Sequence, residues 1–376
     1  MNPAKVLAYL ERERTTEITL PATILKALPD DPSAMLTDLS NLKTIRYHGE
    51  KLDLHWPPIE LVHAEEDVPE PKTEEQDWTT AVEAVRTFSN AALQAMRDAL
   101  PHIETVLPQQ EHVLERWHKA LENPGGASWD EAEEAWRAAT GGTGTIEYAR
   151  RCANHLPQLF SGEVDPTTLM FPEGRMDLAD ALYRENVMGR YQHATVAAVV
   201  RALDRPLRII EIGAGTGATT EHVLGNLHPL TDYLITDVSR YFVDQAGKRF
   251  PGNRYGTFDI DADGQDPGEF DVVIAGGVLN AAKDTDASLK RLKDLMAEQG
   301  WLIISEPTVE EPWVLMSQAF LMAKPTDARK SSTFLTHDQW REALRSQFEL
   351  VLDLPHEDHP LHALGHRVFV ARKDKR

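Results

Sequence analysis

Residues 207–217 constrain this chain more than any other stretch. Leu207-Arg208-Ile209-Ile210-Glu211-Ile212 is a short apolar run, and it passes directly into Gly213-Ala214-Gly215-Thr216-Gly217. Thr219, Thr220, Val223 and Leu224 follow at helical spacing. A run of that length ending in glycines reads as a parallel strand buried on both faces. A glycine-rich turn between strand and helix lets a ligand approach bare backbone. The chain is therefore expected to contain an α/β, Rossmann-like domain from residue 206 onward.

The details narrow the ligand. The spacing is G-x-G-x-G rather than G-x-G-x-x-G, and Glu211 stands two residues before the first glycine. A carboxylate there repels a pyrophosphate but suits a ligand carrying an ammonium group and a sulfonium. Tyr233-Leu234-Ile235-Thr236 reads as a second strand ending at Asp237 and Val238, about 20 residues beyond the turn, where a ribose-binding acid is expected. Phe258-Asp259-Ile260 offers an acid for an adenine amino group and an apolar flank for its ring, and Phe270–Ala275 reads as the fourth strand. A nucleoside-type cofactor site made of Glu211, Gly213, Ala214, Gly215, Gly217, Asp237, Val238, Asp259 and Ile260 is expected.

Upstream, the pattern divides into pieces. Residues 1–58 read as a small α+β module. Val6, Leu7 and Leu10 mark one helix, Ile24, Leu25 and Leu28 a second, and Asp31-Pro32-Ser33 starts a third toward Met35, Leu36 and Leu39. Thr44 to Trp56 alternates around Gly49, which predicts a hairpin and a winged-helix-like outline. Docking, dimerisation and structural decoration all remain open for it, and few basic residues are placed to face a DNA groove. Residues 59–77 contain the acidic, proline-bearing stretch EEDVPEPKTEEQD and read as a linker. Residues 78–205 read as a helical lid or substrate region, and 206–376 as the cofactor-binding domain.

Composition limits the partners. The chain has 376 residues, 39 Lys and Arg against 60 Asp and Glu, and a formal net charge of −21. No basic run offsets that excess, so nucleic acid is not expected as a substrate. The single Cys152 cannot form an intrachain disulfide and has no nucleophile-like setting. No metal site is expected, since the histidines at 337, 356, 359, 362 and 366 read as surface or packing residues. With no apolar run of about 20 residues and a charged first segment, the chain reads as soluble and cytoplasmic, without membrane contact.

Taken together, these residues resemble a class I S-adenosylmethionine-dependent methyltransferase. They are similar in particular to the methyltransferase domains of polyketide and non-ribosomal peptide synthases, over a little more than half of the chain from about Phe160. Ser161–Pro166, Leu169–Gly174, Ala181–Asn186 and Arg190-Tyr191 resemble that family's lid, and Glu211–Gly217 its signature turn. Thr236–Ser239 and Asp259–Asp261 are similar at the second and third strand ends, and Trp313, Phe320 and 329–340 at a substrate-side insertion. The resemblance implies S-adenosylmethionine as cofactor, with Tyr183 and Tyr191 on the lid beside it. It also implies a small-molecule or carrier-protein-bound polyketide or peptide substrate.

One position departs. Carbon-methylating domains of the family have a histidine in a Val-Leu-His-Ala setting, paired with a glutamate at the end of the fifth strand. Here the sequence reads Val278-Leu279-Asn280-Ala281, while Glu306 stands in Leu302-Ile303-Ile304-Ser305-Glu306. An amide can orient a substrate but cannot remove its proton. The expected catalytic set is Asn280 for orientation, Glu306 as base or as a merely hydrogen-bonded carboxylate, and His193 on the lid as a second base. Transfer to N, O, S or an activated carbon is expected; a cofactor-binding scaffold without turnover is the alternative.

Overall fold

The computed structural model describes residues 1–64, 78–225, 227–322, 324–327, 329 and 332–373. The stretch 206–373 builds a seven-stranded sheet from β4 (Arg208–Ile212), β5 (Asp232–Asp237), β6 (Arg254–Thr257), β7 (Phe270–Gly276), β8 (Met296–Pro307), β9 (Phe348–Leu354) and β10 (His366–Lys373). In space the order is β6-β5-β4-β7-β8-β10-β9. The first five are mutually parallel, and β10 runs antiparallel to both of its neighbours. Successive strands leave β4 in opposite directions, so the crevice between β4 and β7 is the topological switch point where α/β sheets take their ligands.

The strands are continuous apolar runs because both faces are covered. Ile210, Ile212, Val273, Ala275, Leu302, Ile304 and Phe369 pack on one face; Ile209, Val272, Ile274, Trp301, Ile303 and Val368 pack on the other. This is the period of two of a strand read from both sides, and each fully buried side chain of this kind contributes about 1.5–3 kcal/mol. The expected first, second, fourth and fifth strands are all present. The third ends one step earlier than expected, at Thr257, because Asp259 and Ile260 form the turn that follows it.

Helices cover the sheet. Between residues 78 and 205 lie α3 (Trp78–Ala99), α4 (Glu111–Ala120), α5 (Trp129–Thr140), α6 (Gly144–Ala153), α7 (Leu156–Ser161), α8 (Pro166–Met170), α9 (Asp177–Arg184) and α10 (Val187–Ala202), after two in the N-terminal module described below. In α3 the apolar positions Val82, Val85, Phe88, Ala92 and Met96 share one face. That face meets Trp136, and Phe88 stacks on Trp313 with ring centroids 4.9 Å apart. The helical region and the insertion around α14 (Pro312–Met316) thus share one core. Next to the sheet lie α11 (Ala218–Leu224), α12 (Arg240–Arg249), α13 (Thr285–Asp294) and α15 (His337–Gln347).

The N-terminal module corrects the sequence expectation. It holds α1 (Pro3–Arg12), β1 (Glu17–Pro21), α2 (Ala22–Ala27), β2 (Thr44–His48) and β3 (Glu60–His63), and the three strands are parallel in the order β1-β2-β3. The predicted hairpin over 44–56, and with it the winged-helix outline, is absent. The alternation of Ile45 and Tyr47 into the core was real, but residues 51–58 end in Pro57-Pro58, which cannot donate ladder hydrogen bonds. β2 therefore pairs with strands from either side of it in sequence. The segment after Asp31 forms a single 3-10 turn, Pro32–Met35, leaving Met35 and Leu36 exposed. β3 occupies part of the stretch expected to be linker; residues 65–77 of that stretch lie outside the described residues. The module packs on Leu230 just before β5, and Tyr9 lies 5.4 Å from the His228 ring, far along the strands from the glycine turn.

Candidate active site

The turn after β4 uses its glycines for space and for backbone angle. Gly213, Gly215 and Gly217 all have positive φ, at 66°, 53° and 77°. A Cβ on Gly213 would lie 2.5 Å from Val278, and one on Gly217 2.5 Å from the Phe250 ring. Asp237, at the end of β5, accepts from the Gly215 N–H at 2.9 Å and from the Ser239 N–H at 2.8 Å. Those two bonds hold the expected ribose acid against the turn and leave further lone pairs for a hydroxyl ligand. Val238, next to it and also expected in the cofactor site, is 67% exposed, an apolar surface at the strand end. Asp259 accepts from the Asp261 N–H at 2.9 Å, and Ile260 is buried.

Glu211 sits beneath this turn rather than in it. It is 2% exposed, and its Oε2 accepts from the Thr220 hydroxyl at 2.6 Å and the Tyr233 hydroxyl at 2.8 Å. Burial raises its pKa to about 7 against the opposing pull of those two donors. Its contribution to a ligand runs through the placement of strand and helix.

The lid is fastened to the turn by Arg184, with Arg249 of α12 reaching the same Thr216 carbonyl and Asp180 of α9. Arg184, the last residue of α9, donates to the Thr216 carbonyl at 2.9 Å and the Thr216 hydroxyl at 3.1 Å. It also pairs with Asp180 and with Glu221, the latter at 3.2 Å, and Arg249 meets the same Glu221 at 3.0 Å. Beside this clamp opens a cleft between the lid and the ends of β7 and β8. Tyr183, His193, Gly276, Gly277, Asn280, Ser305, Trp313 and His366 are among its walls. Tyr183 is 43% exposed, consistent with a lid position. Tyr191 is not brought to the cleft wall: its ring packs against Trp78 and His359, at 5.9 and 5.2 Å.

His193 reaches the cleft with both ring nitrogens engaged. Nε2 lies 3.2 Å from the Tyr183 carbonyl, and Nδ1 lies 2.9 Å from the Thr219 hydroxyl. The carbonyl can only accept, so Nε2 carries the proton and Nδ1 accepts from Thr219. Loss of solvent, with His222 nearby, lowers its pKa to about 4. The ring is a neutral strut from α10 to α9 and α11, which does not suit the expected second base.

The Asn280–Glu306 pair is the most elaborate part of the site. Glu306 is fully buried at the end of β8 and does not reach the cleft wall. Its Oε1 accepts from the N–H groups of Leu279, at 2.7 Å, and Asn280, at 3.3 Å; its Oε2 accepts from Asn280 Nδ2 at 2.9 Å. The second Nδ2 hydrogen goes to the Gly277 carbonyl at 3.0 Å. Burial raises the Glu306 pKa to about 7, with Asn280, the backbone donors and Arg329 pulling the other way. Arg329 grips the loop from its other side, donating to the Asn280 carbonyl at 2.6 Å and to the Ala282 carbonyl, while Asp327 holds it. Arg329 is 3% exposed and sets the loop that carries Asn280.

Two further cleft residues gave no sequence signal. Ser305 lies beside Gly276, where an added Cβ would come within 3.2 Å of its hydroxyl. His366, expected to be a surface or packing residue, opens β10 and lines the cleft at 8% exposed. Cys152 stays out of the chemistry, because burial pushes its thiol pKa to about 12. Among the described residues no group of three or more His, Cys, Asp or Glu side chains could hold a metal ion, and no helix is long and apolar enough to cross a membrane.

Comparison with known proteins fits this geometry. Residues 210–302 match the family model described as a methyltransferase domain. The pyochelin synthetase PchF of Pseudomonas aeruginosa is 32% identical over 304 residues, covering 70% of this chain and 17% of that protein. The polyketide synthase ThaG of Burkholderia thailandensis is 34% identical over 289 residues, covering 68% of this chain and 5% of that protein. The chain thus spans under a fifth of these curated relatives. The CurJ carbon methyltransferase superposes with a TM-score of 0.67 at 25% identity, over 79% of this chain and 92% of that one.

The chain is a class I methyltransferase. It resembles the methyltransferase domains of polyketide and non-ribosomal peptide synthases, and its methyl donor is S-adenosylmethionine. The donor set fits that cofactor: glycine backbone left bare after β4, a strand-end carboxylate at Asp237, and the exposed apolar Val238.

Proposed function

We propose that this methyltransferase acts on an intermediate of polyketide or non-ribosomal peptide assembly, free or tethered to a carrier protein. The observation that carries the reading is the shared cleft, in which Gly276 and Gly277 at the end of β7 face Asn280, Ser305 and His366 under a clamped lid. When bound, the cofactor supplies a sulfonium methyl, and the new bond to carbon forms as the carbon–sulfur bond breaks with its electron pair left on sulfur.

The chain's own residues do the rest. Gly213 to Gly217, Asp237, Val238, Asp259 and Ile260 hold the nucleoside side, with Glu211 setting the turn from below. Arg184 closes α9 over the turn and keeps water out. Asn280, fixed by Glu306 and Arg329, orients the acceptor. Holding two reactants at about 3–3.5 Å supplies about 7–11 kcal/mol of barrier reduction, so a strong general base is needed only for a weakly acidic acceptor. Glu306 is sealed behind Asn280, and we assign it to positioning rather than direct proton removal. The N-terminal module is proposed as a docking or self-association element, since it stands away from the cleft.

Incubation with radiolabelled S-adenosylmethionine and a panel of free and carrier-bound acceptors tests the reading, with label transfer to one of them expected. Tight binding of S-adenosylhomocysteine with no transfer to any acceptor would instead favour a cofactor-binding scaffold.

A further inference from the structure

One buried carboxyl takes no part in the steps above. Glu311 stands just before α14 and accepts from the Trp313 indole N–H. Burial raises its pKa to about 7, and the indole pulls the other way. A carboxyl keeps an accepting oxygen in either protonation state, so the bond holds on both sides of that value. The Trp313 ring also stacks on Phe88 of α3, with centroids 4.9 Å apart and planes 20° from parallel, and it lines the cleft. The segment around Glu311 is itself pinned. The Glu311 carbonyl accepts from the Leu315 N–H at 3.0 Å, and the Thr308 N–H donates to the Gly365 carbonyl at 2.7 Å. The neighbouring Glu310 is taken up by the Thr333 N–H at 2.8 Å and by Arg116 of α4 at 3.5 Å.

Trp136 provides the contrast. It packs against the same Phe88 at 5.3 Å and is fully buried, yet its indole N–H has no partner among the described residues. Packing alone therefore seats a tryptophan in this core. At the cleft wall a carboxyl has been buried as well, which is unfavourable unless its hydrogen bond is used. Stacking fixes the plane of the Trp313 ring, and the hydrogen bond fixes its direction within that plane. We propose that Glu311 is a positioning residue for methyl transfer, locking the Trp313 ring as a fixed wall against which the acceptor is placed. Resting on the reading of the cleft as the acceptor site, this role holds for a carbon, nitrogen or oxygen acceptor alike.

Glu311→Leu leaves the indole N–H without its partner. It should raise the acceptor KM about tenfold, the scale of one buried hydrogen bond, with S-adenosylhomocysteine affinity and stoichiometry unchanged. Glu311→Gln, which keeps an accepting oxygen, should restore KM to within about twofold of wild type. In a Trp313→Phe background, where no N–H remains, Glu311→Leu should change KM by less than about twofold. The probes are the acetoacetyl and prolyl thioesters of N-acetylcysteamine, a carbon and a nitrogen acceptor on one handle. Proton–nitrogen correlation spectra of the eight tryptophan indoles read the ring itself, with the Trp313 signal assigned by its loss in Trp313→Phe. Glu311→Leu should shift that signal and speed its exchange with solvent at least about tenfold. A Trp313 signal that stays in place in Glu311→Leu, an unaltered acceptor KM, or additive effects in the double variant overturns the proposal and leaves the methyltransferase reading standing. Methylation of neither probe by the wild-type protein, with S-adenosylhomocysteine bound, overturns the reading of the cleft and this role with it.

Discussion

The two sides of the cleft are built by opposite strategies. The cofactor side is local and made of backbone: residues 211–217, 236–239 and 258–261 lie at successive strand ends, and their angles and missing Cβ atoms do most of the shaping. The acceptor side is non-local and made of side chains. Asn280 is held by Glu306 and Arg329, while Gln192 and His366 come from α10 and the last strand. Backbone-built sites tolerate little change and serve one ligand. Sites assembled from side chains can change acceptor by single substitutions while the fold stays put. In this chain the first half fixes the donor and the second fixes the acceptor.

The sharpest way to break the comparison is Gly213→Val. With φ at 66° and Val278 2.5 Å from an added Cβ, the variant should lose S-adenosylhomocysteine affinity by more than about 100-fold. Isothermal titration reads this, and a variant that still binds would show the turn to be less backbone-defined than argued. Asp237→Ala comes next. It removes the acceptor that Gly215 and Ser239 use, and cofactor affinity should fall about 10–100-fold, with kcat largely recovered at saturating cofactor.

Glu306→Gln sharpens the acceptor side through pH. In the wild-type chain the ionised carboxylate holds Asn280, so kcat should rise as pH passes about 7, and the substituted chain should lose that step. The stability effect runs the other way. A carboxyl raised from 4.5 to about 7 binds its proton more tightly when folded. Its stabilising contribution is complete below 4.5 and is lost as pH rises through about 7. Thermal melts from pH 4.5 to 7 should show the wild type losing ground to Glu306→Gln. The smallest effect is expected from Arg184→Ala, since partly exposed ion pairs are worth about 0–1 kcal/mol. A few-fold increase in cofactor KM is expected, with kcat retained.

What was legible in the sequence follows the same division. The glycine turn, the strand-end acids and the buried strands could be read because each is encoded in a contiguous segment with its own periodicity. The parallel N-terminal sheet could not, since Thr44–His48 has an alternation that fits a hairpin equally well and pairing depends on strands 17–21 and 60–63. The places of His366 in the cleft wall and of Arg329 behind the Asn280 loop were hidden for a related reason. A histidine or an arginine in a polar, proline-bounded stretch carries no sign of its neighbours until the chain returns it, His366 to the end of β8 and Arg329 to the 279–282 loop. The roles of Glu306 and Asn280 were half legible: the residue types were visible, but not which one faces the cleft and which stands behind it.

Donor binding and acceptor binding are separable halves of one methyltransferase cleft. Asn280→Leu separates the two, with S-adenosylhomocysteine affinity and methyl transfer to the acceptor that the wild-type protein methylates best measured on the same preparation. Affinity is expected to stay within about twofold of wild type and transfer to fall by about 100-fold or more, the scale of a lost orienting contact at a reacting centre. Affinity and transfer falling together, or transfer surviving the substitution, would contradict it.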